Sequence, residues 1–156
     1  MSSKFFIDTP FDRFLVFDLN NGRIDRIFFS CQLEGQPLHG NLKRCVEYIF
    51  DSGDFSCFDY RLLNNSLISQ KARMLQGFLI STKTGQTFSY SDVADKVFGS
   101  KNYARAVASM LRANPFVFFV ACHRVLAKNG IGGYSAGVEL KRKILKWEAL
   151  KGDDYV

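Results

Sequence analysis

The chain has 156 residues, 47% of them hydrophobic and 15% aromatic, with sixteen phenylalanines; that is ample material for a packed core and excludes a disordered chain. No basic segment followed by an apolar stretch opens it, and no run approaches the ~18 apolar residues a membrane span needs, so a cytoplasmic protein, nuclear in a nucleated cell, is expected. Its net charge of +6 is held unevenly: residues 1–65 carry seven Lys/Arg against nine Asp/Glu (−2), and residues 66–156 carry fourteen against six (+8). A one-sided basic excess points to a polyanion such as nucleic acid, with a merely solvated basic face as the alternative.

Phe14–Leu19 and Ile24–Phe29 are β-type runs joined by Asn20-Asn-Gly-Arg23, whose Asn-Gly tolerates positive φ, and they predict a hairpin. Leu42, Cys45, Val46 and Ile49 recur at helical spacing, which predicts a helix over 41–51 covering that hairpin and ending at Asp51-Ser-Gly-Asp54. Cys31, Cys45, Cys57 and Cys122 show no disulfide framework, and free thiols are expected. Cys31, His39, Cys45 and Cys57 could make a four-ligand zinc set, but without any CxxC the expected reading is buried, metal-free cysteines.

From Ser66 the pattern turns helical. A helix is predicted over 66–81 through Leu67, Ala72, Leu75, Phe78 and Leu79, then Ser91–Phe98, a turn at Gly99–Asn102, and a second short helix over Tyr103–Ala113. Two helices joined by a Gly-containing turn are a helix-turn-helix candidate. On the second, Ala104, Val107 and Leu111 share one face while Arg105, Ala108, Ser109 and Arg112 share another. Small residues between arginines suit close approach to a phosphate backbone; an ordinary amphipathic helix is the alternative.

Asn114-Pro115 ends that helix, and Phe116–Val120 is a wholly apolar run read as a buried strand. Cys122-His123 follow at its exit. Neighbouring side chains on a strand point oppositely, so a working Cys/His pair requires a helical turn here, whose backbone N–H groups would lower the thiol pKa, with His123 or Arg124 lowering it further; a buried inert cysteine is the other reading. Asn129–Gly137 holds four glycines without the order of a nucleotide-phosphate loop. On a final helix, Val138–Leu150, Glu148 shares a stripe with Leu140, Ile144 and Trp147, and a carboxylate there needs a partner: a histidine, or Lys151 at i+3.

Taken in order, Ser89-Tyr90, Ala104-Arg-Ala-Val107, Arg112-Ala-Asn-Pro115, Cys122-His-Arg-Val125, Gly133-Tyr-Ser135 and Lys141–Glu148 closely resemble the O6-alkylguanine-DNA alkyltransferases, across about residues 66–150. The resemblance implies an α+β fold: a small ribonuclease-H-like domain over 1–65 and a helical, winged-helix-like (helix-turn-helix) domain over 66–156 for DNA binding and alkyl transfer. It implies a single-turnover DNA repair protein that flips an O6-alkylguanine out of double-stranded DNA from the minor groove, works as a monomer, and needs neither cofactor nor metal. Cys122 would be the alkyl acceptor, His123 its base through a water, Glu148 the carboxylate orienting His123, Asn114 the residue fixing the turn, and Tyr90 the donor to the departing guanine. Arg105 would fill the gap in the stack, with Ala104, Ala106, Ala108, Ser109, Arg112, Ser89 and Tyr90 against DNA, and Val125, Gly133, Tyr134 and Ser135 would line the base pocket.

Three positions depart from the family pattern: Ala121 and Val117 stand where prolines are usual, and Ala136 where a glycine follows the serine. They alter the stiffness of the pocket's approach and leave nucleophile, base and acid unchanged. Three other readings keep part of this pattern: a lesion-binding relative without transfer chemistry, which typically lacks the cysteine; a helix-turn-helix regulator; and a thiol hydrolase with sustained turnover.

Overall fold

The structure, a computed structural model, describes residues 2–155. Strands β1 (Ser2–Asp8), β2 (Phe14–Asn20) and β3 (Arg23–Ser30) form an antiparallel meander, and β4 (Gln36–Pro37) joins β1 in parallel to give the order β3-β2-β1-β4. The β2–β3 turn is the expected one: Asn21 and Gly22 both take positive φ, as a tight turn matched to strand twist requires. Ile7, Leu15, Phe17, Ile24 and Ile27 point to one face, where Val46 and Ile49 of α1 (Gly40–Ser52) meet them.

Gly53 ends α1 in the left-handed conformation, and a Cβ there would sit 2.5 Å from the Lys151 Cβ, so only glycine fits this crossing. The reversal lays residues 54–58 back along α1. Cys45 and Cys57 consequently stand 5.8 Å apart at Cα and are joined as a disulfide, which corrects the expectation of four free thiols. Cys31 is free and exposed rather than buried, and no cluster of three or more potential metal ligands exists among the described residues, so the cysteines and His39 do not assemble.

Helix α2 (Gln70–Ser81) starts later than its periodicity predicts, because the Ser69 side chain accepts from Ala72 N and caps it; Leu67 lies outside the helix, 98% exposed. β5 (Phe88–Ser89) leads into α3 (Tyr90–Phe98), a 3₁₀ turn over Lys101–Tyr103 and α4 (Ala104–Arg112). The last elements are β6 (Val125–Leu126), paired in parallel with β5, and α5 (Val138–Tyr155).

Residues 116–120 are buried as expected but do not form a strand. Phe116 makes one bridge to Ile27, after which Phe118 takes φ +75 and the backbone coils. The cause is local: the Asn114 side chain accepts from Phe116 N and donates to Val120 O, both at 2.9 Å, closing a loop that an extended chain cannot close. Val117 N donates to Ile27 O, a bond that proline in its place cannot make. Phe118 sends its ring among Phe11, Phe29, Phe50, Phe55, Phe119 and Trp147, so one continuous apolar core joins the sheet to the helical half.

Truncating that hub by Phe118→Ala is expected to cost about 3–5 kcal/mol, read as a lowered midpoint in chemical denaturation; a loss below about 1 kcal/mol would show that the two halves do not share this core.

Candidate active site

The coiled segment ends in a 3₁₀ turn, Cys122–Arg124, against the start of β6. This turn supplies the departure from extended backbone that the Cys/His pair requires. It also sends consecutive side chains to different destinations: Cys122 to a cavity, His123 and Arg124 to the buried face of α5.

His123 is fully buried and its Nε2 lies 2.7 Å from Glu148 Oε1, itself 1% exposed. Glu148 is therefore not the partner of Lys151. Arg124, also buried, donates from Nε to both carboxylate oxygens at 3.1 and 3.0 Å and from Nη2 to Oε1 at 2.8 Å; the Gly85 N–H completes the set at Oε2. Burial alone would push Glu148 up, but His123 and Arg124 together hold its pKa down at about 2. A neutral His123 must then carry its proton on Nε2, donating to Glu148. The other nitrogen, Nδ1, is left as a buried acceptor with no hydrogen-bond partner among the described residues. Burial lowers the His123 pKa; Glu148 opposes that, while Arg124 and Lys141 add to it.

Lys141 is 1% exposed and donates to Val125 O at 2.8 Å and Gly133 O at 3.1 Å, tying the residues after the cysteine to the glycine-rich loop. Burial raises the Cys122 pKa, and Asn114 and the Lys141 charge work against it. The Tyr134 hydroxyl lies beside the sulfur, buried, and its own pKa is raised well above the ordinary value by burial and then by Cys122.

The cavity at Cys122 is small, about 60 Å³, and is lined by Tyr90, Ala108, Leu111, Arg112, Gly133, Tyr134 and Ser135. The structure thus brings the expected Tyr90 and pocket-loop residues to the cysteine, and sets Arg112, expected against DNA, at the same cavity. Gly132 makes this possible, since a Cβ there would stand 2.8 Å from the Tyr90 hydroxyl. Val125 lies behind the cavity, fully buried and paired with Phe88. Arg105, Ala106 and Ser109 stand exposed on α4, and Ala104 packs against the core; Ser89, expected at DNA, caps α3 by accepting from Asp92 N at 3.0 Å. A larger cavity of about 610 Å³ between residues 64–79 and 110–120 excludes Cys122 and meets the cysteine's cavity only at Leu111.

Arg124 does not act on the sulfur as expected: its guanidinium is bonded to Glu148, and burial raises the Cys122 pKa instead of the turn lowering it. Lys141, Thr82 and Thr84 do not stand out in the sequence as parts of the site. For Lys141 there was a signal: Lys141, Ile144 and Glu148 recur at i, i+3, i+7 on the stripe that faces inward. The threonines lie in an irregular segment whose path no periodicity reports.

Comparison with known proteins gives a consistent picture. Residues 72–150 match the family model described as 6-O-methylguanine DNA methyltransferase, DNA binding domain. A methylated-DNA–protein-cysteine methyltransferase of Metallosphaera sedula is 41% identical over 95 residues, 61% of this chain and 56% of that protein. One from Methanocaldococcus vulcanius is 48% identical over 69 residues, 44% of this chain and 41% of that protein; the chain spans about half the length of the curated relatives it matches. Two crystal structures share its mixed α+β fold. These are an O6-methylguanine methyltransferase of Mycobacterium tuberculosis (TM-score 0.75, 22% identity, 97% of this chain and 94% of that one) and one of Pyrococcus kodakaraensis (TM-score 0.71, 22% identity, 95% and 99%). The M. tuberculosis protein in complex with DNA superimposes with TM-score 0.77 at 23% identity, over 95% of this chain and 93% of that one.

The buried cluster sets the acid response of the fold. The unfolded chain protonates histidine near 6.5 and glutamate near 4.5, whereas folded His123 lies lower and folded Glu148 at about 2. The unfolded state thus binds more protons, so stability is full above 6.5, falls below it through His123, and falls further from 4.5 towards 2 through Glu148. Thermal melts from pH 8 to 3 should show that decline, with Glu148→Gln removing its lower part; a constant midpoint from pH 7 to 4 would contradict it.

Proposed function

This chain belongs to the O6-methylguanine DNA methyltransferase family, and from that premise we propose that it repairs DNA directly, moving the alkyl group of an O6-alkylguanine onto Cys122 in a single turnover. The observation that carries the reading is the buried His123–Glu148 pair beside a cysteine that opens on a cavity lined by Tyr90 and Ser135.

His123 has one nitrogen committed to Glu148 and the other free to accept, so Nδ1 takes the Cys122 proton through a water. The thiolate attacks the alkyl carbon, the S–C bond forms, and the C–O6 bond breaks with its electron pair leaving on guanine. The Tyr90 hydroxyl donates to the departing base, which leaves neutral. A thioether is not a leaving group under these conditions, so nothing regenerates the thiol and each chain acts once. Nucleophile, base and donor all come from the chain, and the transfer calls on no metal or cofactor.

The alkyl carbon is hidden in the base stack, and the base must rotate out to reach sulfur. A cavity of about 60 Å³ is far below the roughly 300 Å³ of a small-molecule pocket. The glycine-rich loop carrying Gly133, Tyr134 and Ser135 therefore yields on entry. Arg105, exposed on α4 among Ala104, Ala106 and Ala108, fills the vacated place from the minor groove, while Arg112 and Ser109 face the backbone. The reading extends to a monomer on double-stranded DNA, cytoplasmic or nuclear, built from a ribonuclease-H-like domain over 1–65 and a winged-helix-like domain over 66–156. Among the described residues no helix is long and apolar enough to cross a membrane.

Rapid-quench transfer from a duplex carrying one O6-methylguanine tests this. Cys122→Ser should bind the duplex and transfer nothing. Arg105→Ala, an exposed change, should leave the fold intact and slow transfer about tenfold or more, because flipping a base costs a few kcal/mol. A serine variant that still transfers, or an Arg105 variant with the unmutated rate, would contradict the assignment.

A further inference from the structure

We propose that Arg124 is a positioning residue of the transfer relay, fixing the Glu148 carboxylate in one orientation and keeping His123 a neutral base that can accept the Cys122 proton. The proposal rests on the transfer reading above and adds to it a residue and a role.

A carboxylate alone beside an imidazole is a poor way to make a base in a buried site. It favours the imidazolium, and a histidine that already carries its second proton cannot take one from a thiol. Arg124 resolves this by sharing the carboxylate. Oε1 accepts from His123 Nε2 at 2.7 Å and from Arg124 Nη2 at 2.8 Å, while Oε2 accepts from Arg124 Nε at 3.0 Å and Gly85 N at 3.2 Å. The fixed guanidinium charge neutralises the carboxylate that would otherwise draw a proton onto His123. Its planar fork also allows only one carboxylate rotation, the one that presents Oε1 to the imidazole.

The guanidinium is itself held from its far side. Nη1 donates to Thr82 O at 3.0 Å and Thr82 Oγ1 at 2.9 Å, and the Phe55 ring, from the segment after α1, covers it at 5.4 Å. Thr84 lies within 3.5 Å of Nη2 and donates to Gly53 O, linking the same point to the end of α1. Among the described residues, the charged groups acting on His123 are Glu148 and Lys141 from α5 and Arg124 from its own turn; the titratable Cys122 precedes it in that turn, and the uncharged Phe118 ring stacks on the imidazole. Of these only Glu148 favours protonation, and Arg124 is bonded to it. Burial is the first cause of the downward His123 shift; Glu148 opposes it, and the Arg124 charge works on the side of burial.

Two variants separate charge from orientation. The pH–rate profile of methyl transfer should keep its acidic limb in place for Arg124→Lys while the rate falls, because lysine retains the charge without the fork. For Arg124→Gln the limb should move up by about one pH unit or more, a tenfold change in the neutral fraction. A purely structural role would lower rates in both and move neither limb; that result, or Arg124→Gln with the unmutated profile, overturns the proposal. Nitrogen-15 spectra of the unmutated protein provide a readout independent of variant folding and of DNA. The chain has only two histidines, and only His123 is buried, so its imidazole signals are readily told from those of the exposed His39. His123 should remain the neutral Nε2–H form at pH values where an ordinary imidazole already takes up its proton; an imidazolium at pH 7 would refute the assignment even if every variant misfolds. Failure of the unmutated protein to transfer methyl would instead sink the transfer reading, and the spectra would still decide the state of His123.

Discussion

One carboxylate organises this molecule. Glu148 is buried, charged and shared between a histidine and an arginine that are adjacent in sequence. Taking such a group out of water is costly, and removing one partner from a buried pair typically costs about 3–5 kcal/mol because it strands the other charge. The surrounding elements are arranged to avoid that. The 3₁₀ turn splits His123 from Cys122, the 82–85 segment reaches across to hold Arg124 and to donate from Gly85, and α5 carries the carboxylate at the one level where all of these meet. The aromatic core around Phe118 then serves two ends, joining the sheet to the helices and giving His123 a flat, dry neighbour.

The first half of the chain takes part in this arrangement, although nothing in its residue types announces chemistry. Its contribution is mechanical. Gly53 turns the chain after α1, the disulfide between Cys45 and Cys57 holds the returning segment, and that segment delivers Phe55 to Arg124 and Phe58 to Phe119. Charge divides differently: the excess of positive residues lies in 66–156, where α4 presents Arg105 and Arg112. Packing thus couples the halves, while the electrostatic attraction to a polyanion belongs to one of them.

The elements that could be read from the sequence are those governed by local periodicity. The β2–β3 hairpin, α1, α3 and α4 follow from alternation, from i, i+3, i+4 spacing and from Asn-Gly and Gly turns. Phe116–Val120 was misread because an apolar run reports burial and not backbone path; the Asn114 side chain, through two hydrogen bonds to the main chain, coils it. The start of α2 was misplaced because Leu67 fits the helical period, yet Ser69 caps the helix beyond it. In the site, Cys122, His123 and Glu148 were legible through ordered motifs; Arg124 and Lys141 lie within the same motifs, but the sequence does not show what they bond to. Their roles depend on tertiary partners, Thr82 O and Val125 O among them, which no spacing records.

The central claim, that Cys122 is the final destination of the alkyl group, is a statement about one covalent bond. It is tested most directly by the intact mass of the protein after incubation with excess duplex carrying one O6-methylguanine, followed by peptide mapping. The account predicts that one hydrogen is replaced by one methyl group, on the peptide containing Cys122, with no further gain at longer times. Unmodified protein that still binds the duplex, or a methyl group on Cys31 instead, would contradict it.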